Sequence, residues 1–223
     1  MFVWSFSDLH AGITASYGSF HSFLNEVERQ HPDVLVGHGD IVELAWSSWG
    51  RNMAWQPARS AIEHLIYIAS ILPVELLPGN HDLDLIKYKA DLKPIIVSPC
   101  LTAQYDGVLY THGHQFDPVY KSTWAWIMRL PLAHLVAPCI ARSIYGTPYA
   151  RILDGKDDSY MRLTAIIEAD ILLHTGDKPV VFGHTHSEFI RRRRNSFLAN
   201  SGDLIDSCST LKVIDGSPEL VWF

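Results

Sequence analysis

Seven side chains that can bind a divalent metal occur at five places along this 223-residue chain, and each place follows a short run typical of a buried strand. They are Asp8 and His10 in SDLH, Asp40 in GHGD, Asn80 in GNHD, His112 in THGH, and His184 and His186 in GHTH. Together they offer oxygen and imidazole ligands, which suit divalent transition metals. A carboxylate can bridge two cations and an imidazole cannot, so Asp40 or Asp8 would be the bridge in a two-ion site.

The charges of such a site favour an anionic substrate. Two divalent ions outweigh the two negative charges of Asp8 and Asp40, which leaves the site positive before water binds. Two ions about 3.5–4 Å apart can generate a hydroxide and stabilise the equatorial oxygens of an in-line displacement at phosphorus. The pattern therefore predicts a hydrolase that opens a phosphate ester or pyrophosphate by attack of metal-bound hydroxide.

Strands and helices alternate in the first half of the chain, which predicts an α/β fold. The runs FVWSF, DVLVG, VELLP, PIIV and VLYT have the length and punctuation of buried strands. Helical spacing of apolar residues separates the first three runs, and Ser19 is the expected N-cap of the first helix. In such sheets ligands gather beyond the carboxyl ends of the strands, where all five motifs fall.

Local geometry would bring the paired residues together. Asp8 and His10 are two positions apart, so in an extended backbone their side chains would point the same way. His184 and His186 repeat that spacing. Gly39 would let the chain turn sharply and bring Asp40 inward.

The second half of the chain divides into a helical stretch and a strand-rich tail. A helical insertion, or cap, is expected at about residues 116–176, beside the metal site and within a single domain of residues 1–223. Its apolar segment 124–140 contains two prolines that would interrupt a long helix. SEFI, SFLAN, STLKVID and ELVWF predict hairpins that close a second sheet.

The motifs D-x-H, G-D-x-x-(D/E), G-N-H-(D/E), H-G and G-H-x-H, in this order from residue 8 to residue 186, resemble those of the calcineurin-like metallophosphoesterase family. The resemblance implies a four-layer α/β/β/α sandwich and two divalent ions, with Mn²⁺ as the expected metal and Fe, Zn or Ni as alternatives. It assigns Asp8, His10 and His186 to the first ion. It makes Asp40 the bridge and gives Asn80, His112 and His184 to the second ion.

Three further residues acquire roles from the same resemblance. His81 falls where the family has a substrate-facing histidine that stabilises the transition state or protonates the leaving oxygen. Glu43 could hold the His81 ring in position, although Asp82 is an alternative partner, and a solvated Glu43 is as good an interpretation as a site role. His114 could contact phosphate or support a metal ligand.

Glu43, Trp46 and the helical insertion also resemble the UDP-2,3-diacylglucosamine pyrophosphatase branch of the family. That branch hydrolyses a lipid-linked pyrophosphate at a membrane surface, so the substrate could be lipid-linked or a nucleotide sugar. Segment 124–140 is then an apolar-tail site rather than plain core. The run 191–194, four arginines, is either a solvated hairpin tip or a contact for anionic headgroups or a polyphosphate.

Net charge and composition narrow the expected classes of partner and the expected location of the protein. A net charge of −6 argues against nucleic acid as the main ligand and favours a phosphorylated small molecule or a lipid-linked pyrophosphate. Three unpaired cysteines, no leader pattern and no long apolar run favour a cytoplasmic protein, with peripheral membrane contact as an addition. The alternative function is a catalytically weak or inactive scaffold that binds other proteins. The oligomeric state is left open by the sequence.

Overall fold

The computed structural model describes residues 1–12, 17–44, 51–121 and 158–223. They form two compact units, Met1–His112 with Asp177–Phe223, and Gly113–Gly176. Trp46 and the apolar segment 124–140 lie outside the described residues. The single domain with an inserted cap at about 116–176 therefore stays a prediction.

The first unit contains a six-stranded sheet in the order β11-β10-β1-β2-β3-β4. Its strands are β1 (Phe2–Phe6), β2 (Val34–His38), β3 (Val74–Leu77), β4 (Ile96–Val97), β10 (Ser209–Ile214) and β11 (Ser217–Trp222). Strands β1 to β4 are parallel, whereas β10 runs antiparallel to both β1 and β11. The parallel part places the carboxyl ends of β1, β2 and β3 at the same edge.

A second sheet of five strands has the order β5-β6-β7-β9-β8. Its strands are β5 (Thr102–Tyr105), β6 (Val108–Thr111), β7 (Val180–Phe182), β8 (Phe189–Arg192) and β9 (Phe197–Asn200). Strands β6, β7 and β9 are parallel. The sequence predicts that all four strands of the tail belong to the second sheet. Strands β8 and β9 do, but β10 and β11 extend the first sheet instead. The reason is that β10 pairs with β1 over four residues and turns Leu211 and Val213 into the core between the sheets.

Successive side chains of a strand point to opposite faces of the sheet, so the first sheet contributes to two hydrophobic cores. Val3 of β1 packs between the two sheets with Val34, Val36 and Tyr110. Trp4 points to the opposite face, where its ring meets Phe23 edge-on at 5.4 Å. Each such buried side chain contributes roughly 1.5–3 kcal/mol. The first unit is thus a mixed α/β structure with two sheets packed face to face.

Two helices cover the outer face of the six-stranded sheet. Helix α1 (Gly18–Gln30) and helix α2 (Arg51–Ala69) pack in the same core. Helix α1 buries the apolar residues whose helical spacing predicts it, Phe20, Phe23, Leu24 and Val27. The predicted cap residue is wrong by two positions, because Tyr17 is the N-cap. The Ser19 hydroxyl instead donates to Cys208 Sγ at 3.3 Å.

The second unit is described at its two ends. It contains a short 3-10 helix (His114–Phe116), α3 (Pro118–Lys121) and α4 (Asp158–Thr175). An ion pair between Lys121 and Asp170 joins α3 to α4. In the described ranges, no helix has both the length and the apolar character that crossing a bilayer requires.

The four arginines 191–194 are all exposed: the first two end edge strand β8, and the other two follow it. Arg191 lies over the Phe189 ring at 4.7 Å, and Arg192 donates to the Pro218 carbonyl at 3.5 Å. Arg193 is 3.9 Å from Asp177. A role for this run in binding headgroups stays a prediction.

Candidate metal centre

All five motifs follow strand ends, as the sequence predicts. Three of the strands, β1, β2 and β3, belong to the first sheet, and two, β6 and β7, belong to the second. The seven candidate ligands lie within a few residues after these ends. The structure brings them together from positions up to 178 residues apart, the separation of Asp8 and His186.

The backbone at these residues is left-handed rather than extended. Five of the seven have positive φ: Asp8 (54°), His10 (45°), Asp40 (56°), His184 (68°) and His186 (50°). The expected extended geometry of the two pairs is therefore wrong. Such conformations cost of order 1–3 kcal/mol each and persist where surrounding contacts impose them. Here the N–H groups of Asp8 and His10 bond the carbonyls of Gly39 and Asp40 at 3.1 and 2.9 Å.

One oxygen of Asp8 is fixed by the backbone, and the other faces imidazoles. Oδ2 accepts the His184 N–H at 2.9 Å. Oδ1 lies 3.3 Å from His186 Nε2 and 4.0 Å from His10 Nε2. Among the described residues, none donates a hydrogen bond to this buried Oδ1. A buried anionic oxygen of this kind calls for a cation.

Asp40 is arranged in the same way. Its Oδ1 accepts the His81 N–H at 2.8 Å. Its Oδ2 lies 3.1 Å from His112 Nε2 and 3.9 Å from His10 Nε2. This oxygen faces one ring assigned to each ion, whereas both rings near Asp8 Oδ1 belong to the first ion. The geometry therefore favours Asp40 over Asp8 as the bridge.

The remaining candidate ligands are those that the family resemblance assigns to the second ion. Asn80 Oδ1 lies 3.0 Å from His112 Nε2. The His112 and His184 rings meet at 5.1 Å with a 70° interplanar angle. Ligand atoms of Asp8, Asp40 and His112 lie within 4.8 Å of one another, as do those of Asp8, His10 and His186.

Two glycines make room for the carboxylates. A Cβ at Gly79 would overlap Asp40 Oδ1, and one at Gly183 would overlap Asp8 Oδ2 and the Ser7 hydroxyl. Glycine at these motif positions therefore permits the close approach of neighbouring loops.

The buried carboxylates and imidazoles of the centre shift one another's pKa values. Burial raises the pKa of the Asp8 carboxyl, but the positive charges of His186 and His112 outweigh it and hold the pKa below its usual range. Asp40 behaves likewise, chiefly through His112. Burial lowers the pKa of His112 and His186, but Asp40 and Asp8 raise that of His112 above the usual value. Asp8 and Asp203 raise that of His186 in the same way. Protons can thus occupy ring nitrogens that a cation would use, and the residue set fits divalent metal ions.

Glu43 is a buried partner of two rings, not a solvated carboxylate. Its Oε2 lies 3.0 Å from His10 Nδ1, and its Oε1 lies 2.9 Å from His81 Nδ1. Burial lowers the pKa of His81, but the charge of Asp40 and the bond to Glu43 raise it to about 9. His81 is therefore held as a cation beside the candidate metal residues.

Asp82 has a structural role that the sequence interpretation missed. Its carboxylate accepts the N–H groups of Gly79 (2.5 Å) and Ile41 (2.8 Å), with longer bonds from Asp40 and Val42. It thereby ties the GNHD loop to the loop after β2, and Glu43 rather than Asp82 orients His81. Burial and the charge of Asp40 raise the Asp82 pKa to about 6. The signal for this role was its place in GNHD, since a buried turn needs acceptors for its N–H groups.

His114 belongs to the second unit. It is buried there, and its ring meets that of Tyr120 at 5.9 Å. Its contact with phosphate stays a prediction.

Comparison with known proteins identifies the family of this chain. A sequence model of the calcineurin-like phosphoesterase family matches residues 1–188. The chain therefore belongs to the calcineurin-like phosphoesterase family. No curated protein sequence matches it.

Several solved structures are similar to this chain at low sequence identity. An archaeal phosphodiesterase is 12% identical over 100% of both chains, with a TM-score of 0.54. Yfce, a phosphoesterase from E. coli, is 18% identical over 99% of this chain and 98% of its own, with a TM-score of 0.49. A single mutant of Vps29 from Entamoeba histolytica is 13% identical over 100% and 99%, with a TM-score of 0.46.

Proposed function

We propose that this protein is a metal-dependent hydrolase of phosphate esters or pyrophosphates. The observation that carries the proposal is the pair of buried carboxylates, Asp8 and Asp40. Each has one oxygen on a backbone N–H and the other toward imidazole nitrogens. Two divalent ions bound there, with Mn²⁺ as our first choice, would supply Lewis-acid activation of water and neutralise phosphoryl charge.

The chain's own residues divide the remaining work. Asp8, His10 and His186 would hold one ion, Asn80, His112 and His184 the other, and Asp40 both. Glu43 fixes Nδ1 of His81, so the proton that His81 can donate to a leaving oxygen is the one on Nε2. In the metal-free protein the raised pKa of His81 keeps that proton in place near neutral pH, and Glu43 contributes to the rise.

The proposed substrate is a phosphomonoester, a phosphodiester or a pyrophosphate, the last including nucleotide sugars and lipid-linked pyrophosphates. The resemblance of Glu43 and its surroundings to the UDP-2,3-diacylglucosamine pyrophosphatase branch supports the pyrophosphate. Hydrolysis of a lipid-linked substrate would take place at a membrane surface, which the arginine run 191–194 could contact.

The test is hydrolysis by Mn²⁺-loaded protein of an aryl phosphate, a bis-aryl phosphate and a nucleotide sugar. We expect turnover of at least one, loss on chelation, and loss in Asp40→Asn, whose amide cannot bridge two ions. Asp84→Asn is the matched control, because Asp84 is exposed and pairs with Lys87 outside the centre. Wild-type protein with two bound ions and no turnover would contradict the proposal. Ion-free protein with a stable protein partner would favour the scaffold.

A further inference from the structure

Three imidazoles of the centre, those of His10, His112 and His186, turn Nε2 toward the carboxylates. In both His10 and His112, Nε2 faces the carboxylates and Nδ1 meets a hydrogen-bond acceptor, at 3.0 and 3.2 Å. Histidines that bind metals through Nε2 usually donate from Nδ1 to such an acceptor, which fixes the tautomer and the ring. His186 also turns Nε2 toward Asp8, and the group that faces its Nδ1 is Asp203 Oδ2, 3.6 Å away.

Asp203 lies in the loop between β9 and β10 and is fully buried. Its Oδ1 accepts three backbone N–H groups, from Ile205 (2.8 Å), Asp206 (2.5 Å) and Ser207 (3.3 Å). Within the described part of the chain, no group donates a hydrogen bond to its other oxygen, Oδ2. One oxygen is thus fixed by the turn, and the second is aimed at His186.

The end of β9, which leads into this loop, holds the backbone beside His186. Asn200, the last residue of β9, donates from Nδ2 to the Gly183 carbonyl and to the Thr185 hydroxyl, both at 2.9 Å. Gly183 and Thr185 belong to the GHTH motif, so the end of β9 supports the backbone of that motif and the following loop faces one of its rings.

We propose that Asp203 is a positioning residue that holds His186 with its proton on Nδ1 and its Nε2 lone pair toward the metal centre. Asp203 touches neither ion nor substrate; it acts through the ring. The inference rests on the proposed two-ion function.

Asp203→Asn tests the proposal with little change of shape. The amide oxygen can still accept the three N–H groups of the turn, whereas the amide nitrogen would face Nδ1 as a second donor. The ring would then move its proton to Nε2 or rotate away. Asp206→Asn is the matched control, because Asp206 is exposed in the same loop and loses the same charge.

Calorimetric titration of the full chain with Mn²⁺ gives the first readout. We expect Asp203→Asn to bind one of the two ions 10- to 100-fold more weakly, and Asp206→Asn to match wild type. In a His186→Ala background, Asp203→Asn should produce no further loss, because its effect passes through that ring. Should Asp203→Asn fail to fold, Asp203→Ser keeps an acceptor for the turn and removes the oxygen that faces His186.

Imidazole nitrogen spectra of the Zn²⁺-loaded protein give a readout that a purely structural role would not move. Wild type should show a slowly exchanging proton on His186 Nδ1, and Asp203→Asn should lose it. Unchanged affinity for both ions together with a retained Nδ1 proton would overturn the role of Asp203 and leave the centre intact. Wild-type protein that binds no divalent ion would overturn the centre, and the role of Asp203 with it.

Discussion

Oε1 of Glu43 lies 2.9 Å from Nδ1 of His81. The same carboxylate reaches His10 through its other oxygen, so a single buried acid orients both the proposed proton donor and a proposed metal ligand. A change at Glu43 should therefore affect proton transfer and metal binding together.

Glu43→Gln should lower kcat by about 10- to 100-fold. The bond and charge of Glu43 help to raise the His81 pKa, so their loss should move the alkaline limb of the kcat profile to lower pH. Steady-state rates between pH 6 and pH 10, at saturating Mn²⁺, provide the measurement. Glu63→Gln, on the exposed face of α2, is the control. An unmoved alkaline limb would argue that Glu43 does not tune His81.

His81→Gln should reduce kcat by roughly 10²–10⁴-fold, the usual contribution of a positioned acid. Metal binding should be retained, because the backbone N–H of residue 81, rather than its ring, bonds Asp40. Titration calorimetry and kcat together separate the two effects. His174→Gln, exposed in α4, should match wild type. Equal losses of affinity and rate in His81→Gln would instead indicate a metal ligand.

Gly79→Ala should weaken metal binding by displacing the Asp40 carboxylate, with which the new methyl group would overlap. Gly216→Ala is the matched control: its φ of 75° strains an alanine, but nothing lies within 4 Å of the added Cβ. Both variants should lose about 1 kcal/mol or more of stability, but Gly79→Ala alone should lose metal affinity. Denaturant unfolding and Mn²⁺ titration measure the two quantities.

Metal binding should strengthen as pH rises through neutrality, because ions displace protons from His112 and His186, whose pKa values are raised. Titrations in two buffers of different ionisation enthalpy would count the released protons. Affinity that does not change with pH would contradict the proposed ligands.

Without metal, the stability of the protein should fall as pH rises. The His81 pKa of about 9 exceeds the ordinary 6.5, so its contribution is complete below about pH 6.5 and is lost as pH rises toward 9. Thermal unfolding in chelator should therefore show a falling midpoint over that interval. The control is His81→Gln, in which the fall should be smaller.

Asp82→Asn should destabilise the fold by about 1–3 kcal/mol, because its amide nitrogen would face backbone donors now bonded to carboxylate oxygens. Asp84→Asn, exposed two residues later, should have almost no effect. Chemical denaturation compares the two, and equal stabilities would contradict the role of Asp82 as the acceptor for the loop.

The sequence predicted which residues meet but not how the backbone presents them. Strand ends and ligand types are local properties, so the convergence of Asp8 with His186 could be inferred from alternation and motif order. The left-handed conformations of Asp8 and His10 could not, because they depend on bonds from the loop after β2. The attachment of β10 to β1 and the placing of Asp203 behind His186 are likewise set by contacts between distant parts of the chain.

The seven candidate ligands come from both sheets: Asp8, His10, Asp40 and Asn80 follow strands of the first, and His112, His184 and His186 follow strands of the second. Ions bound between them would act as a cross-link between the two halves of the sandwich. Removal of the ions would weaken the packing between the two sheets, where Val36 and Tyr110 lie. Amide exchange at the ends of β2 and β6 would then report metal occupancy from within the protein core.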